Sequence, residues 1–383
     1  MIFSKVASSV ITGISGSVVN TMGGGETILP SKTFDFMSET LDPDLTFSRS
    51  GAAWAKNSSG QWVSFATNTR RVHYVTPTYS VILLEPTTTN RMTDYNANPT
   101  TTSGWTKGGD ALSVFSVVTD PSSLLVSAGI DLICTTGKIY KLDNSLGATT
   151  AYVDSSGTFG STSKSTVSAW ISGGTGSLTR TGAGTPETLA FTSSSPLIRR
   201  ALSTTPNATS DGFRIVANAG QIIYFILAQI EVNASTQPVD NGAAFTDEAC
   251  PTSPIVTTGA TATRNFDAFS VTGLDLKSWW DEQSFTVSLE FTLFGFGASQ
   301  HLFNINAGSS SNQYAIENIS NSGANQGYMR PRVTGGGVAD AGQDFLILGK
   351  PYIGEPNRVA FSSSATTYVT ASPDLRSNDF DKT

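Results

Sequence analysis

The sequence predicts an all-β protein: two tandem antiparallel β-sandwiches of jelly-roll type, preceded by an extended N-terminal arm and a hairpin segment. Three observations predict it. Period-two alternation, or a short apolar run, is broken by Gly, Ser, Asn, Asp or Pro about every eight to twelve residues, the cadence of a sandwich. No long stretch shows helical periodicity with caps, and the best exception is a short turn around 274–281. The chain has 383 residues, room for two or three domains of about 150 residues, each with its own core. With 10% aromatic and only 14% charged residues, it is set to fold and to dress its surface in hydroxyls and amides rather than ions.

The elements follow in order. Residues 1–45 open with an apolar-leaning stretch from Val6 to Val19 that Ser, Thr and Gly interrupt. It falls short of the ~20 apolar residues of a spanning helix and precedes no A-x-A-like cleavage site. It reads as an ordered arm that packs against something else and ends at the turn Leu41-Asp42-Pro43-Asp44. In 46–92, Trp54-Ala55-Lys56 and Gln61-Trp62-Val63 flank Asn57-Ser58-Ser59-Gly60, a turn with hairpin chemistry. Residues 93–236 hold the strands of a first sandwich, among them 112–118, 165–171 and 212–217. The run QIIYFILAQIEV at 221–232 is apolar on both faces in its middle, as for a central strand covered on two sides. A Pro/Thr-rich stretch, 237–264, reads as a linker to a second strand-rich block, 265–383, with a strand at 284–296.

Composition excludes several function classes. Lys and Arg number 23 against 30 Asp and Glu, a net charge of -7, so no basic stripe is available for phosphates and nucleic acid is not an expected partner. Cys134 and Cys250 stand far apart outside any CxxC or Cys/His cluster; they read as buried thiols, with a disulfide between them left open. Only His73 and His301 are present, too few for a histidine metal centre or a supported Ser/His/Asp constellation. No GxSxG elbow, GxxxxGK[ST] loop or GxGxxG fingerprint occurs, so neither a cofactor nor a metal is expected. Gln229 and Glu231 alternate onto one face and read as a polar pair closing the sheet.

Several blocks together carry a resemblance. TFSRSGAAWAKNSSGQW (46–62), NTRRVHY (68–74) and ILLEPTTTNRM (82–92) are followed by GWTKGG (104–109) and STVSAWISGGTGS (165–177), then LAQIEVN (227–233) and CPTSPIVTTGATATRNFD (250–267). Their order and spacing over about 220 residues resemble a recurring block of bacteriophage virion proteins that leads into a domain like a carbohydrate-binding module. FSVTGLDLKSWWDEQSFTVSLEFTLFG (269–295) resembles the opening of the laminin-G/concanavalin-like sandwich that often follows there. The chain departs from the pattern at Thr87, where the family carries Arg, and at Arg70-Arg71-Val72-His73-Tyr74, so a strict chemical role is not expected at these positions. It also lacks the tail that family members carry beyond the second sandwich.

The resemblance implies a non-enzymatic fibre or spike component of a tailed phage, on tail or capsid at the particle surface. It would form a homo-oligomer, a trimer, contact other virion proteins through the arm and present glycan-binding sandwiches to a host-surface glycan, with no membrane insertion. Two other readings are a polysaccharide depolymerase and a structural decoration protein without a ligand. Concanavalin-like hydrolases place paired carboxylates on one strand as ExDxxE, whereas the strand here has Glu290 alone, with Ser288 and Thr292 on its face, so catalysis is not expected. Asp42 with Asp44 reads as a Pro turn, and Asp281 with Glu282 as a cap or loop cluster.

Neutral glycans are held by aromatic faces with Asn, Gln, Asp and hydroxyl hydrogen bonds. Candidate contacts are Trp105, which follows the polar loop 96–104 and is expected to be exposed, together with Tyr152, Trp280, Tyr314 and Tyr328. Trp170, mid-strand, is assigned to the core.

Overall fold

The computed structural model describes residues 40–232 and 251–270, except 86, 156, 163–164, 183–186 and 193. Elsewhere it describes the backbone of the strands at 2–3, 9–16, 32–35, 284–293, 301–306, 313–318, 329–335, 338–339, 356–364 and 368–371, with the burial of a few side chains among them. The fold is all-β, built from antiparallel sheets, and its described helical content is one 3-10 turn and a four-residue helix, Leu124–Ser127.

Two sheets form the first sandwich. One runs Val114–Thr119, Lys138–Asp143, Ile222–Val232, Ser165–Gly173, Ser194–Thr204, with Thr88–Asn90 and Ala262–Arg264 added beside Ile222–Val232. The other runs Trp105–Gly109, Ala151–Ser155, Phe213–Ala217, Gly176–Arg180, Thr188–Phe191. Between them lies a core that includes Trp105, Tyr140, Phe159, Val167, Phe213, Phe225 and Ile230. Alternation puts residues such as Val153, Leu178, Phe213 and Ile215 into that core, and this burial drives the pairing of the sheets.

The first sheet is covered on its outer face as well. Trp62, Leu124, Leu125, Ile130, Ile133, Cys134, Trp170 and Ile226 form a second core there. The hairpin of Ala53–Lys56 and Trp62–Phe65 lies on this side, with the Trp62 and Trp170 rings edge to face at 6.4 Å. Its turn is closed by Asn57, whose side-chain oxygen accepts from Ser59 N and Gln61 N at 3.0 Å each, while Gly60 takes φ +80°. The Asp120 carboxylate accepts from Leu124 N and Leu125 N at 2.9 Å each and so starts the short helix. Cys134 is a buried free thiol in this layer, and burial pushes its pKa up.

The doubly covered strand predicted at 221–232 is found, with a feature that alternation does not contain. Its register slips opposite Ser168/Trp170, and Leu227 adopts φ +53°, a costly conformation for a branched side chain. Leu227 N is satisfied by Asn96 O at 2.8 Å. The bulge turns both Ile226 and Leu227 to the outer core, while Phe225, Ala228 and Ile230 face the inner one. It thereby reverses the parity of the strand's end and aims Gln229 and Glu231 outward.

The segment read as a linker is different in its second half. Residues 251–264 are built into the first sandwich: Thr252, Ser253, Ile255 and Thr257 are buried, and Ala262–Arg264 pairs with Thr88–Asn90. Gln229 Oε1 accepts from Ile255 N at 2.9 Å, and Glu231 accepts from Thr252 N at 3.2 Å and from the Thr252 hydroxyl. The polar pair read as closing the sheet does so by holding this segment.

The arm is also part of the sheets. Ser9–Gly16 pairs with Ser284–Leu293 on one side and with Tyr79–Leu84 and Lys32–Asp35 on the other, and Ile2–Phe3 pairs with Ala268–Ser270. Pro356–Ser364 and Tyr368–Ala371 extend that larger sheet beyond Ser284–Leu293, and His301–Asn306, Gln313–Asn318, Met329–Gly335 and Val338–Ala339 form a separate one. The short turn expected at 274–281 lies outside the described residues.

Candidate functional site

Of the five residues read as glycan contacts, Trp105 and Tyr152 are described with their side chains, and these two lie on opposite faces of the five-stranded sheet. Trp105 is not exposed: only 8% of its surface is accessible. Its ring packs edge-on against Phe225, Phe213 and Tyr140, with centroids 5.0, 5.6 and 5.9 Å away. Nε1 donates to Asp94 Oδ2 at 2.9 Å, and the Tyr140 hydroxyl donates to the same oxygen at 3.2 Å. Those bonds answer the polar atoms that a buried Trp and Tyr must satisfy. Trp280 and Tyr328 lie outside the described residues, and Tyr314 is placed by its backbone, opposite Ile305 and Val333. Trp170 is in the outer core, with the Arg199 guanidinium 4.5 Å from its ring centroid.

Tyr152 is on an accessible sheet face. The register of the five-stranded sheet sets two rows on its outward side: Gly108, Tyr152, Val216, Ser177, Ala190 and, beside them, Thr106, Asp154, Arg214, Thr179, Thr188. The alternate residues Val153, Ile215 and Leu178 face the core, so the rows are exposed or half-buried by strand parity alone. The Tyr152 ring lies over Gly108, where a Cβ would meet its Cζ at 2.4 Å, so the absence of a side chain at 108 lets the ring lie down on the sheet. The Arg214 guanidinium carbon sits 3.5 Å from the ring centroid, within cation–π range. Arg214 is held flat by two bonds to Asp154, Nε to Oδ1 at 2.6 Å and Nη2 to Oδ2 at 2.8 Å. Beyond it runs a hydroxyl ladder, Ser177 to Thr179 at 3.2 Å and Thr179 to Thr188 at 3.3 Å. A ligand on this face meets a stacked Tyr–Arg pair, a neutralised carboxylate and three hydroxyls: the Arg214 and Asp154 side chains are 31% and 30% exposed, Tyr152, Ser177 and Thr179 are half-buried, and Thr188 is exposed.

A second cluster is entirely buried and was missed by sequence reasoning. Arg49, Arg71, Glu85, Arg264 and Asp267 are all under 5% exposed. Arg71 Nη1 donates to Glu85 Oε2 at 2.6 Å and its Nη2 to Asp267 Oδ2. Arg264 Nη1 lies 3.0 Å from Glu85 Oε2, and Arg49 Nη1 donates to Asp267 Oδ1 at 3.0 Å. Ser253 donates to Glu85 from both N and Oγ at 2.6 Å each, and Arg49 also donates to the carbonyls of Phe65 and Ala66. These residues come from the blocks TFSRSGA, NTRRVHY, ILLEP, CPTSP and TATRNFD, whose order carries the resemblance. Arg71, for which no strict chemical role was expected, has a structural one: it ties two carboxylates from distant segments. The available signal was a lone charge in TFSRSGA and in ILLEP and a pair of charges in NTRRVHY and in TATRNFD, within a chain otherwise sparse in charge. With all positions closed to solvent, the cluster is a structural lock rather than a binding site.

Titration follows from this geometry. Burial would raise Glu85, but Arg264, Arg71 and the Ser253 bonds outweigh it and hold the carboxyl at about 2. Its stabilisation is therefore present above the ordinary carboxylate range and lost as pH falls toward 2. His73, desolvated beside Trp62, is pushed down to about 4, so its contribution is lost as pH falls from about 6.5 through 4. Asp94 runs the opposite way: burial raises it to about 6, against the bonds from Trp105 and Tyr140, so its contribution is lost as pH rises through 6. The expected result is a stability that falls in acid across the His73 and Glu85 windows, measured by thermal melts across pH. Glu85→Gln should start from lower stability and flatten the most acidic limb, and an unchanged limb would contradict this assignment.

Among the described residues no group of three His, Cys, Asp or Glu is placed to hold a metal ion. Glu290 is placed by its backbone opposite Gly13 and Arg358. No helix among the described residues is long and apolar enough to cross a membrane. Comparison with protein-family models finds no match. Comparison with curated proteins likewise finds none.

Proposed function

We propose that this chain is a non-enzymatic structural protein of a bacteriophage particle, a fibre or spike component of tail or capsid. In this reading its first sandwich offers the outward face of the five-stranded sheet to a host-surface glycan. The observation that supports it most is that face itself: Tyr152 stacked under Arg214, Asp154 neutralising the guanidinium, and the hydroxyls of Ser177, Thr179 and Thr188 in line. Planar guanidinium–carboxylate pairs and aligned hydroxyls match the paired hydroxyls of a pyranose, and the compensated charge suits a neutral sugar. The ordered blocks of the resemblance support the phage assignment, and their charged residues converging in one lock support reading them as one module.

Incubation with purified host polysaccharide tests the reading. Retention without chain shortening is expected, and Arg214→Ala or Tyr152→Ala should weaken it by about tenfold or more while leaving the melting temperature within a few degrees, since both side chains lie on the outer face. Chain shortening would replace the reading with a depolymerase, and no retention on any host glycan would leave a structural decoration protein. Attachment to other particle proteins through residues 1–45 belongs to the same proposal. Because Ser9–Gly16 has partner strands on both sides, deleting residues 1–40 would open two sheet edges, so crosslinking on intact particles is the cleaner test of attachment.

A further inference from the structure

The Val114–Thr119 strand ends the larger sheet of the first sandwich, and no described strand pairs with its outer side. Exposed strand edges carry unpaired N–H and C=O groups that invite another chain, and proteins blunt them with charge, proline, bulges or short length. The other three edges of this sandwich are blunted. Ser194–Thr204 contains Pro196, Arg199 and Arg200; Trp105–Gly109 contains Lys107 and ends in Gly109 at φ +79°; Thr188–Phe191 has four residues. Val114–Thr119, VFSVVT, has six residues with no charge, no proline and an unbroken register against Lys138–Asp143.

Its surroundings are apolar as well. Val114 is 57% exposed, and Leu112 and Leu146 beside it are 63% and 77% exposed. The loops bearing the two leucines are tied by Asp110, which accepts from Leu112 N at 2.9 Å and Thr149 N at 3.0 Å. Phe115 and Val117 pack on the inner core but are only partly buried, so the core is open at this side.

We propose that this edge pairs with the same edge of a second copy of the chain, antiparallel, about a two-fold axis through Val117. The backbone selects that register. Asp120 N donates to Gly137 O at 2.8 Å, and antiparallel partners alternate, so Val114, Ser116 and Val118 bond inward to Lys138–Asp143. Phe115, Val117 and Thr119 then point their N–H and C=O groups to the open side. Residues directly opposite across a strand pair must share a sheet face, and Phe115 and Val117 face the inner core whereas Val118 faces the outer one. Any axis through a residue of the strand meets both conditions, and the one through Val117 alone pairs all three outward-pointing residues within the strand: Val117 meets Val117, and Phe115 meets Thr119, each as a hydrogen-bonded pair on the inner face. No like charges oppose each other within the strand. The pairing joins copies two at a time, is independent of the glycan reading, and buries the partly exposed Phe115 and Val117.

Sedimentation of the full chain tests it, with a concentration-dependent dimer or larger even assembly expected. Val117→Pro removes an outward N–H that makes no bond among the described residues, so the fold is kept and the dissociation constant should rise by about tenfold or more. A strictly monomeric chain, or an assembly unchanged by a folded Val117→Pro variant, a trimer included, would overturn the proposal. The double variant Ser116→Cys with Val118→Cys decides independently of that fold. These positions face each other across the axis as a close, non-hydrogen-bonded pair, so oxidation should link two copies through both introduced thiols, and failure to form that link counts against the register.

Discussion

Glu85→Ala is expected to cost about 3–5 kcal/mol, the range for breaking a buried ion pair by removing one partner. The carboxylate faces Arg71 and Arg264 at 2.6 and 3.0 Å and accepts two bonds from Ser253. Without it, Arg49 and Arg71 share the carboxylate of Asp267, Arg264 loses its ion pair at 3.0 Å, and Ser253 loses its acceptor. These contacts join 49–85 to 251–267, so that junction should open first. Urea unfolding monitored by tryptophan fluorescence, with Trp54 and Trp62 in the adjacent hairpin, reads the loss directly. An exposed control such as Lys107→Ala should stay within about 0.5 kcal/mol of the parent. A loss at Glu85 no larger than the control would mean that the lock is dispensable.

Trp105→Ala should cost a similar amount, about 3–5 kcal/mol, because it empties the centre of the inner core and strips a hydrogen bond from Asp94. Trp105→Phe separates the two effects. It keeps an aromatic ring against Phe213 and Phe225 but offers no donor, leaving the buried carboxylate with the Tyr140 hydroxyl. Asp94 should then titrate still further above its ordinary range, and the variant should lose more stability at neutral pH than in mild acid. Denaturant titrations at two pH values check this. If Trp105→Ala left stability intact and abolished glycan retention, Trp105 would be a ligand platform and its core role would be refuted.

Much of the architecture was legible in the chain because strand parity and turn chemistry are local. The Asn57–Gly60 turn, the alternation in Phe213–Ala217 and the doubly apolar Ile222–Val232 strand each follow from residues within a few positions of one another. Tyr152 could be named as a candidate, but its setting could not, since Gly108, Arg214 and Asp154 reach it from three strands. Trp105 was misread because the polar loop before it predicts exposure, whereas the sheet's parity turns the ring inward.

By itself, then, the sequence determined an all-β chain of antiparallel strands with few ions on its surface, through periodicity and composition. Only the tertiary structure decided where the scarce charges go. Arg49 and Asp267 are 218 positions apart and Arg71 and Asp267 are 196 apart, distances at which no local pattern carries pairing information. It also decided that residues 251–264 are packed against the sandwich, because the bulge at Leu227 turns Gln229 and Glu231 outward to meet them. A chain with little charge can bury three guanidinium groups beside two carboxylates only if each guanidinium meets a carboxylate, and that pairing exists in space alone.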